Sequence, residues 1–232
     1  MNLAIVGYGK MGRLLHELAP EYDIQVKLTL DEANNRNGEG ITPEAFAEVD
    51  VAIEFSTPEA VVTNVVKLAG TGVGIVVGTT GWTEHLPRVR SAVEAGNAGL
   101  VWSPNFSIGV NVFFRLVSQA AQLLADEPQY GSWAWEIHHD SKKDAPSGTL
   151  LKLLDEMKSA GYSRPISASS NRAGRHPGTH EIGFDSSADT ITLRHSARSR
   201  EGFARGALKA AQFIHGKCGV FEFSEVLFGG GQ

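Results

Sequence analysis

The chain reads as an α/β protein built on a doubly wound parallel sheet. Over the first hundred residues, short β-type runs alternate with helical patterns through brief connections. Those runs are mostly apolar throughout rather than alternating, as in strands buried on both faces. Length adds a further constraint. The 232 residues are roughly 1.5 times a typical domain, which suits one elaborated domain or two small interleaved ones.

In chain order, strands are expected at Leu3–Val6, Ile24–Leu30, Val51–Phe55, Ile75–Val77 and Leu100–Trp102, with helices starting near Lys10, Pro58 and Thr83. Pro58 follows Ser56-Thr57, a capping residue just before proline in a first helical turn. After Pro104 the character changes. A helix is expected over Val112–Asp126, then a strand Trp133–His139 with alternating bulky residues, a loop, and a helix Gly148–Ala160. In that helix Leu150, Leu153, Leu154 and Met157 recur at helical spacing behind Ser147 as N-cap. A polar stretch, Ser167–Gly178, is rich in Ser, Arg and Gly and is given no regular element. Two β-type runs follow at Thr179–Phe184 and Thr190–Ser196, then a helix near Gly202–His215 and a strand-like Val220–Val226. Gly229-Gly230-Gly231 is expected to be a frayed end, and no internal repeat is visible.

Composition excludes several function classes. With 42% hydrophobic and 20% charged residues the chain is globular rather than disordered. A net charge of -5 argues against nucleic-acid binding through a general basic field. The lone Cys218 rules out an internal disulfide, a four-cysteine zinc site and an iron–sulfur cluster. No apolar run reaches the roughly 18 residues that would span a membrane. The start Met1–Val6 lacks the basic and apolar regions of an export signal, so the cytoplasm is the expected compartment. Residues 107–207 carry 12 Lys and Arg against 11 Asp and Glu, while the remainder carries 9 against 15. Either the middle third receives an anionic small molecule or the difference is chance surface composition.

Gly7-Tyr8-Gly9-Lys10-Met11-Gly12 is a G-x-G-x-x-G string that follows a buried strand and opens a helix. Glycine at the turn, at the point of close approach and at the helix–strand contact lets free N–H groups and the helix dipole receive a pyrophosphate, so a dinucleotide is expected on a Rossmann-like sheet. Asp31, at the end of the next strand, suits the ribose hydroxyls and repels a 2′-phosphate, which leans the cofactor to NADH. Arg36 is either a solvated loop residue or a partner for that phosphate, so NADPH stays open. Gly78-Thr79-Thr80-Gly81 and Ser103-Pro104-Asn105-Phe106 leave strand ends on the ligand side. They suit a nicotinamide-ribose pocket or are ordinary turn chemistry.

The densest cluster runs from Glu136 to Thr149. The helix start after Ser147 offers the Gly148 and Thr149 N–H groups and the Thr149 hydroxyl to an anion. His138, His139 and Lys142 just upstream supply groups that move protons near neutrality or pair with carboxylates; the alternative is a polar surface loop. Adjacent histidines on a strand point to opposite faces and no third ligand is evident, so no metal is expected.

The same string resembles the E-x-H-H-x-x-K-x-D-A-P-S-G-T signature of bacterial 4-hydroxy-tetrahydrodipicolinate (dihydrodipicolinate) reductases, enzymes of lysine and diaminopimelate biosynthesis. Further landmarks of that family appear in order: the glycine loop, Glu54-Phe55-Ser56-Thr57-Pro58, the G-T-T-G loop, Ser103–Asn111, and Phe203-Ala204-Arg205-Gly206-Ala207. The resemblance spans essentially the whole chain. It implies hydride transfer from NAD(P)H to a conjugated cyclic imine dicarboxylate. It implies His138 and Lys142 as the acid/base pair, with His139, Ser147, Gly148 and Thr149 binding a dianionic substrate. The glycine loop, Asp31, Gly78–Thr80 and Ser103–Phe106 become the cofactor set.

The resemblance also implies a dinucleotide-binding domain, 1–107 plus 200–232, around an inserted, mostly antiparallel α+β domain, 108–199, that binds substrate and mediates assembly. Between Pro177–Gly183 and Asp189–His195 only Phe184–Ala188 remains where the family usually carries a longer stretch. The chain therefore reads as a shortened member: a homo-oligomer, tetrameric by resemblance, with a dimer as the alternative. Two other readings are a related amino-acid dehydrogenase, which would lack the H-H-x-x-K…S-G-T string, and a regulatory nucleotide-binding protein without catalysis.

Overall fold

The computed structural model describes residues 1–229 and divides into two compact units. One comprises Met1–Ile108 with the chain from Glu201 onward; the other is Gly109–Arg200. In the first, β1 (Asn2–Val6), β2 (Gln25–Leu30), β3 (Val51–Glu54), β4 (Gly74–Val77) and β5 (Gly99–Trp102) alternate with α1 (Lys10–Leu18), α2 (Pro58–Ala69) and α3 (Leu86–Ala95). The late elements α6 (Glu201–Ile214) and β10 (Gly219–Glu222) complete it. The six strands lie in the order β10-β5-β4-β3-β1-β2, all parallel.

The uninterrupted apolar runs have a direct cause. Ala4, Val6, Ala52, Ile75 and Val77 point into a core with Val61, Val65 and Leu68 of α2 and Val89 and Val93 of α3. Their chain neighbours Leu3, Ile5, Ile53 and Val76 point the other way, against Leu15 of α1 and Ala207, Ala211 and Ile214 of α6. Each buried aliphatic side chain contributes about 1.5–3 kcal/mol, so every position of these strands favours the two-sided burial.

The second unit contains most of α4 (Ile108–Leu123), then β6 (Gly131–His138), α5 (Gly148–Ser159), β7 (Ile166–Arg172), β8 (Thr179–Asp185) and β9 (Thr190–Ser196). Its sheet order is β7-β6-β8-β9, with β7 parallel to β6 and the other pairs antiparallel. Phe113, Val117 and Ala121 of α4 and Leu150, Leu153 and Met157 of α5 close over Ala134, Ile182 and Phe184.

Three expectations need correction. Ile166–Arg172, which overlaps the polar stretch Ser167–Gly178 left without an element, is a strand; it sits at a sheet edge with mostly exposed residues, so no apolar periodicity marks it. The strand expected over Val220–Val226 stops at Glu222, where a capping box with Glu225 starts a short helix, α7 (Phe223–Phe228). The helix expected from Val112 begins at Ile108 and ends at Leu123. Of the terminal glycines, Gly230 and Gly231 lie outside the described residues. Among the described residues no helix is long and apolar enough to cross a membrane.

Candidate active site

Two sites arise, one in each unit. In the first unit, β1 delivers the chain into the glycine turn. A Cβ on Gly7, at φ +98°, would lie 2.2 Å from the Phe55 carbonyl oxygen, so only glycine fits. Gly9 is the opposite case: nothing lies within 4 Å of an added Cβ. That open face fronts the start of α1, which has no side-chain cap and no acidic residue in its first turn. Its first N–H groups are free to receive an anion.

A cleft of about 640 Å³ opens there, lined by Gly7, Tyr8, Gly9, Asp31, Arg36 and Ser56 among others. A neighbouring one of about 440 Å³ is lined by Lys10, Met11, Gly78, Thr79 and Thr80. Asp31 is exposed, and one of its carboxylate oxygens accepts from the Ala33 N–H at 2.9 Å. The Thr79 hydroxyl turns inward, donating to Glu54 at 2.6 Å. Gly12 is a packing position, where a Cβ would meet the Gly7 carbonyl oxygen at 2.4 Å. Ser103–Phe106 line neither cleft. The Ser103 hydroxyl closes its own loop on Asn105, and Phe106 is buried beside Phe223 with ring centroids 4.8 Å apart. An uncapped helix start, a glycine floor and an acidic strand end fit a dinucleotide.

In the second unit, Glu136 and His138 project from the same face of β6, two residues apart. His180 of β8 stands directly across from Glu136. Glu136 is fully buried and richly bonded. One oxygen accepts from the Ser147 N–H (2.8 Å), the Ser170 hydroxyl (2.8 Å) and Arg172 (3.0 Å). The other accepts from the Ser147 hydroxyl and lies 3.4 Å from His138 Nδ1 and 3.3 Å from His180 Nε2. Burial would raise this carboxyl, but the bonds from Ser147, Ser170 and Arg172 outweigh it and hold the group down at about 2.

Burial pushes His138 below the ordinary histidine value, against the pull of Glu136 and helped by Lys142 and Arg172. Burial, with the neighbouring His138, takes His180 down to about 4. Both rings are therefore neutral near pH 7 and meet edge to face, with centroids 5.0 Å apart. The buried His138 Nδ1 has no hydrogen-bond partner, so a proton placed there would face Glu136.

Lys142 Nζ lies 2.7 Å from Asp144 Oδ1. The Asp144 carboxyl is held down first by Lys142 and also accepts from the Gly148 N–H at the start of α5. Gly148 is exposed and Thr149 half-exposed, leaving this helix start accessible. Ser147, by contrast, is buried: its hydroxyl donates to Glu136 and accepts from the Leu150 N–H, so it caps α5 rather than facing outward. His139 Nδ1 pairs with the Ser141 hydroxyl at 2.8 Å.

Glu136, His138 and His180 bring three potential metal donors within 4.8 Å of one another. The sequence showed no third ligand because His180 comes from a strand distant in the chain. The donor set does not suit a cation. Arg172 already neutralises the carboxylate, and a metal on its second oxygen would displace the Ser147 hydroxyl that caps α5. Arg172 is engaged with Glu136 and the Asp144 carbonyl, whereas Arg175 and His176 are exposed. His180 and the supporting role of Glu136 were missed; the only local signal was a glutamate two residues before a histidine on one strand face.

Two family models cover almost the entire chain: dihydrodipicolinate reductase, N-terminus, over residues 1–106, and dihydrodipicolinate reductase, C-terminus, over 109–227. The 4-hydroxy-tetrahydrodipicolinate reductase of Christiangramia forsetii is 35% identical over 240 residues, with 98% of each chain covered. That of Methanosarcina barkeri is 34% identical over 265 residues, covering 98% of this chain and 99% of the relative. The chain is thus trimmed against the second relative and close to full length against the first. A dipicolinate-bound dihydrodipicolinate reductase from Paenisporosarcina sp. TG-14 shares the fold, with a TM-score of 0.80 at 23% identity over 96% of this chain and 97% of that one.

Proposed function

The chain belongs to the dihydrodipicolinate reductase family, and from that premise we propose how its residues carry the reaction. It is an NAD(P)H-dependent 4-hydroxy-tetrahydrodipicolinate reductase of lysine and diaminopimelate biosynthesis. Reduced nicotinamide, when bound, supplies a hydride to the conjugated cyclic imine. The chain must then hold two carboxylates and deliver one proton to the enamine-like carbon. Lys142 Nζ is the donor. His138, neutral and backed by Glu136, takes a proton from solvent and passes it to the neutral Lys142 amine left after that donation. One substrate carboxylate is received by the Gly148 N–H and Thr149 at the start of α5, and His139 serves the dianion from the other side of the strand end. Ser147 supports that site from within by fixing α5 to Glu136.

The observation carrying this reading is the buried Glu136 with His138 against it, beside a lysine whose charge already depresses the imidazole. A carboxylate held ionised beneath a neutral histidine can stabilise the imidazolium transiently, which a bland surface loop has no reason to build. In the other unit, Tyr8, Lys10 and Met11 with the glycines receive the pyrophosphate, and Gly78 and Thr80 border the nicotinamide side. Asp31 favours NADH, and Arg36 on the same cleft gives NADPH a phosphate partner, so NADH is preferred and NADPH accepted. The enzyme works in the cytoplasm as a homo-oligomer, a tetramer or, with the shorter sheet domain, a dimer. The exposed Leu116 and Leu123 on α4 and Ile191 on β9 support an assembling surface. The test is turnover: freshly generated synthase product should drive oxidation of NADH, and more slowly NADPH. Oxidation of neither would reject the reading.

A further inference from the structure

Glu54 is an ionisable group that the reaction leaves unused. It ends β3 between Val6 of β1 and Val77 of β4 and is 0% exposed. All its polar partners are hydroxyls and amides. One oxygen accepts from Thr79 Oγ1 at 2.6 Å; the other accepts from the Ser56 hydroxyl and from Asn64 Nδ2 at 3.2 Å. Asn64 in turn accepts from Asn35 Nδ2 at 3.2 Å, and Asn35 Oδ1 accepts from the Gly40 N–H at 3.1 Å. Asn35, Ser56 and Asn64 line the larger cleft, and Ser56 and Thr79 line the smaller one.

A carboxylate without a cation in a parallel-sheet core is costly, and burial pushes this one up. The fold alone would be better served by an aliphatic residue among Val6, Ile53 and Val77. What a carboxylate offers, and an aliphatic or an amide does not, is up to four acceptor sites in one plane. Here they gather three separate segments: the turn after β2 through Asn64 and Asn35, the Ser56 turn after β3, and the Thr79 turn after β4.

We propose that Glu54 is a positioning residue that holds these three turns in register, so that the dinucleotide cleft is preformed along its whole length before cofactor arrives. The inference rests on reading that cleft as the NAD(P)H site. Glu54 acts through Thr79, Ser56 and Asn64 and touches no ligand itself.

The test compares wild type with Glu54→Gln and Thr79→Val by titration with NADH, with ADP-ribose and with reduced nicotinamide mononucleotide, alongside steady-state kinetics. Glutamine keeps the shape but retains one acceptor oxygen, so it releases at least one turn. Dissociation constants for NADH should rise about tenfold, as for one buried donor left without its acceptor. Both half-molecule probes should weaken, and KM for NADH should change more than kcat. Thr79→Val, which removes only the inward hydroxyl and is well tolerated sterically, should weaken the nicotinamide half alone. The two substitutions should be non-additive in the double variant. NADH affinity within twofold of wild type in either single variant overturns the positioning role while leaving the site intact. Failure of wild type to bind NADH overturns the site reading and this inference together.

Discussion

Replacing Glu136 with Gln perturbs the second site at its base while keeping its shape. A glutamine oxygen at the position nearest Arg172 would still accept from the Ser147 N–H, the Ser170 hydroxyl and Arg172. Its amide nitrogen would face the Ser147 hydroxyl and the two imidazoles, all able to accept. What disappears is the carboxylate charge behind three bonds from neutral donors, the Ser147 N–H, the Ser147 hydroxyl and the Ser170 hydroxyl. Each falls from about 1.5–3 to about 0.5–1.5 kcal/mol, a loss of about 3 kcal/mol in sum, while Arg172 keeps a charge-assisted bond to the amide oxygen. The melting temperature should drop by roughly 6–12 °C at about 2–4 °C per kcal/mol. His138 also loses the largest influence raising it, ahead of Asp144. The carboxylate lies 3.4 Å from Nδ1, so without its charge the imidazole should titrate lower still. Glu136 titrates near 2 when folded against 4.5 ordinarily, so its stabilisation is present above about pH 4.5 and is lost as pH falls toward about 2. The gap between wild type and variant should therefore narrow over that window. Thermal melts from about pH 3 to 7 and the acid limb of the pH profile of kcat/KM are the assays. A variant melting within about 1 °C of wild type, with an unmoved acid limb, would refute the reasoning.

Two further predictions follow from the same geometry. Asp144 holds both Lys142 and the Gly148 N–H, the groups assigned to the substrate. Asp144→Asn should accordingly lower KM for the dicarboxylate by several-fold, measured by initial rates, and a raised KM would show that Asp144 organises those donors instead. Asp31→Ser should shift the ratio of kcat/KM for NADH over NADPH toward NADPH by about tenfold, since a carboxylate no longer opposes the 2′-phosphate. An unchanged ratio counts against the assignment of Asp31 to the ribose.

How much of this was legible in the sequence follows from where each element buries its side chains. The strands of the parallel sheet are apolar on both faces, so Leu3–Val6 and Val51–Ile53 announce themselves without any long-range information. β7 does not, because Ser167, Ala168 and Ser169 lie exposed at a sheet edge and its order comes from pairing with β6. Residues in a contiguous string, His138 through Thr149, took their expected roles from the resemblance of that string to a family signature. His180 could not: it reaches Glu136 through the register of β6 with β8, which no local pattern encodes. Glu54 was visible as part of a motif, but its function as an acceptor for three turns depends on parallel strand order bringing Ser56, Asn64 and Thr79 around it. Phe106 and Ser147 were assigned to ligands because they sit in the right strings, yet Phe106 is packed in the core and Ser147 is turned into the cap of α5.

The proposed mechanism has Lys142, next to a neutral His138, deliver the proton for the reduction. Its most direct test is the Lys142→Ala variant, assayed with freshly generated synthase product while NADH binding is titrated in parallel. A loss of about 10²–10⁴ in kcat is expected, with an NADH dissociation constant equal to that of wild type. Turnover near the wild-type rate would contradict it.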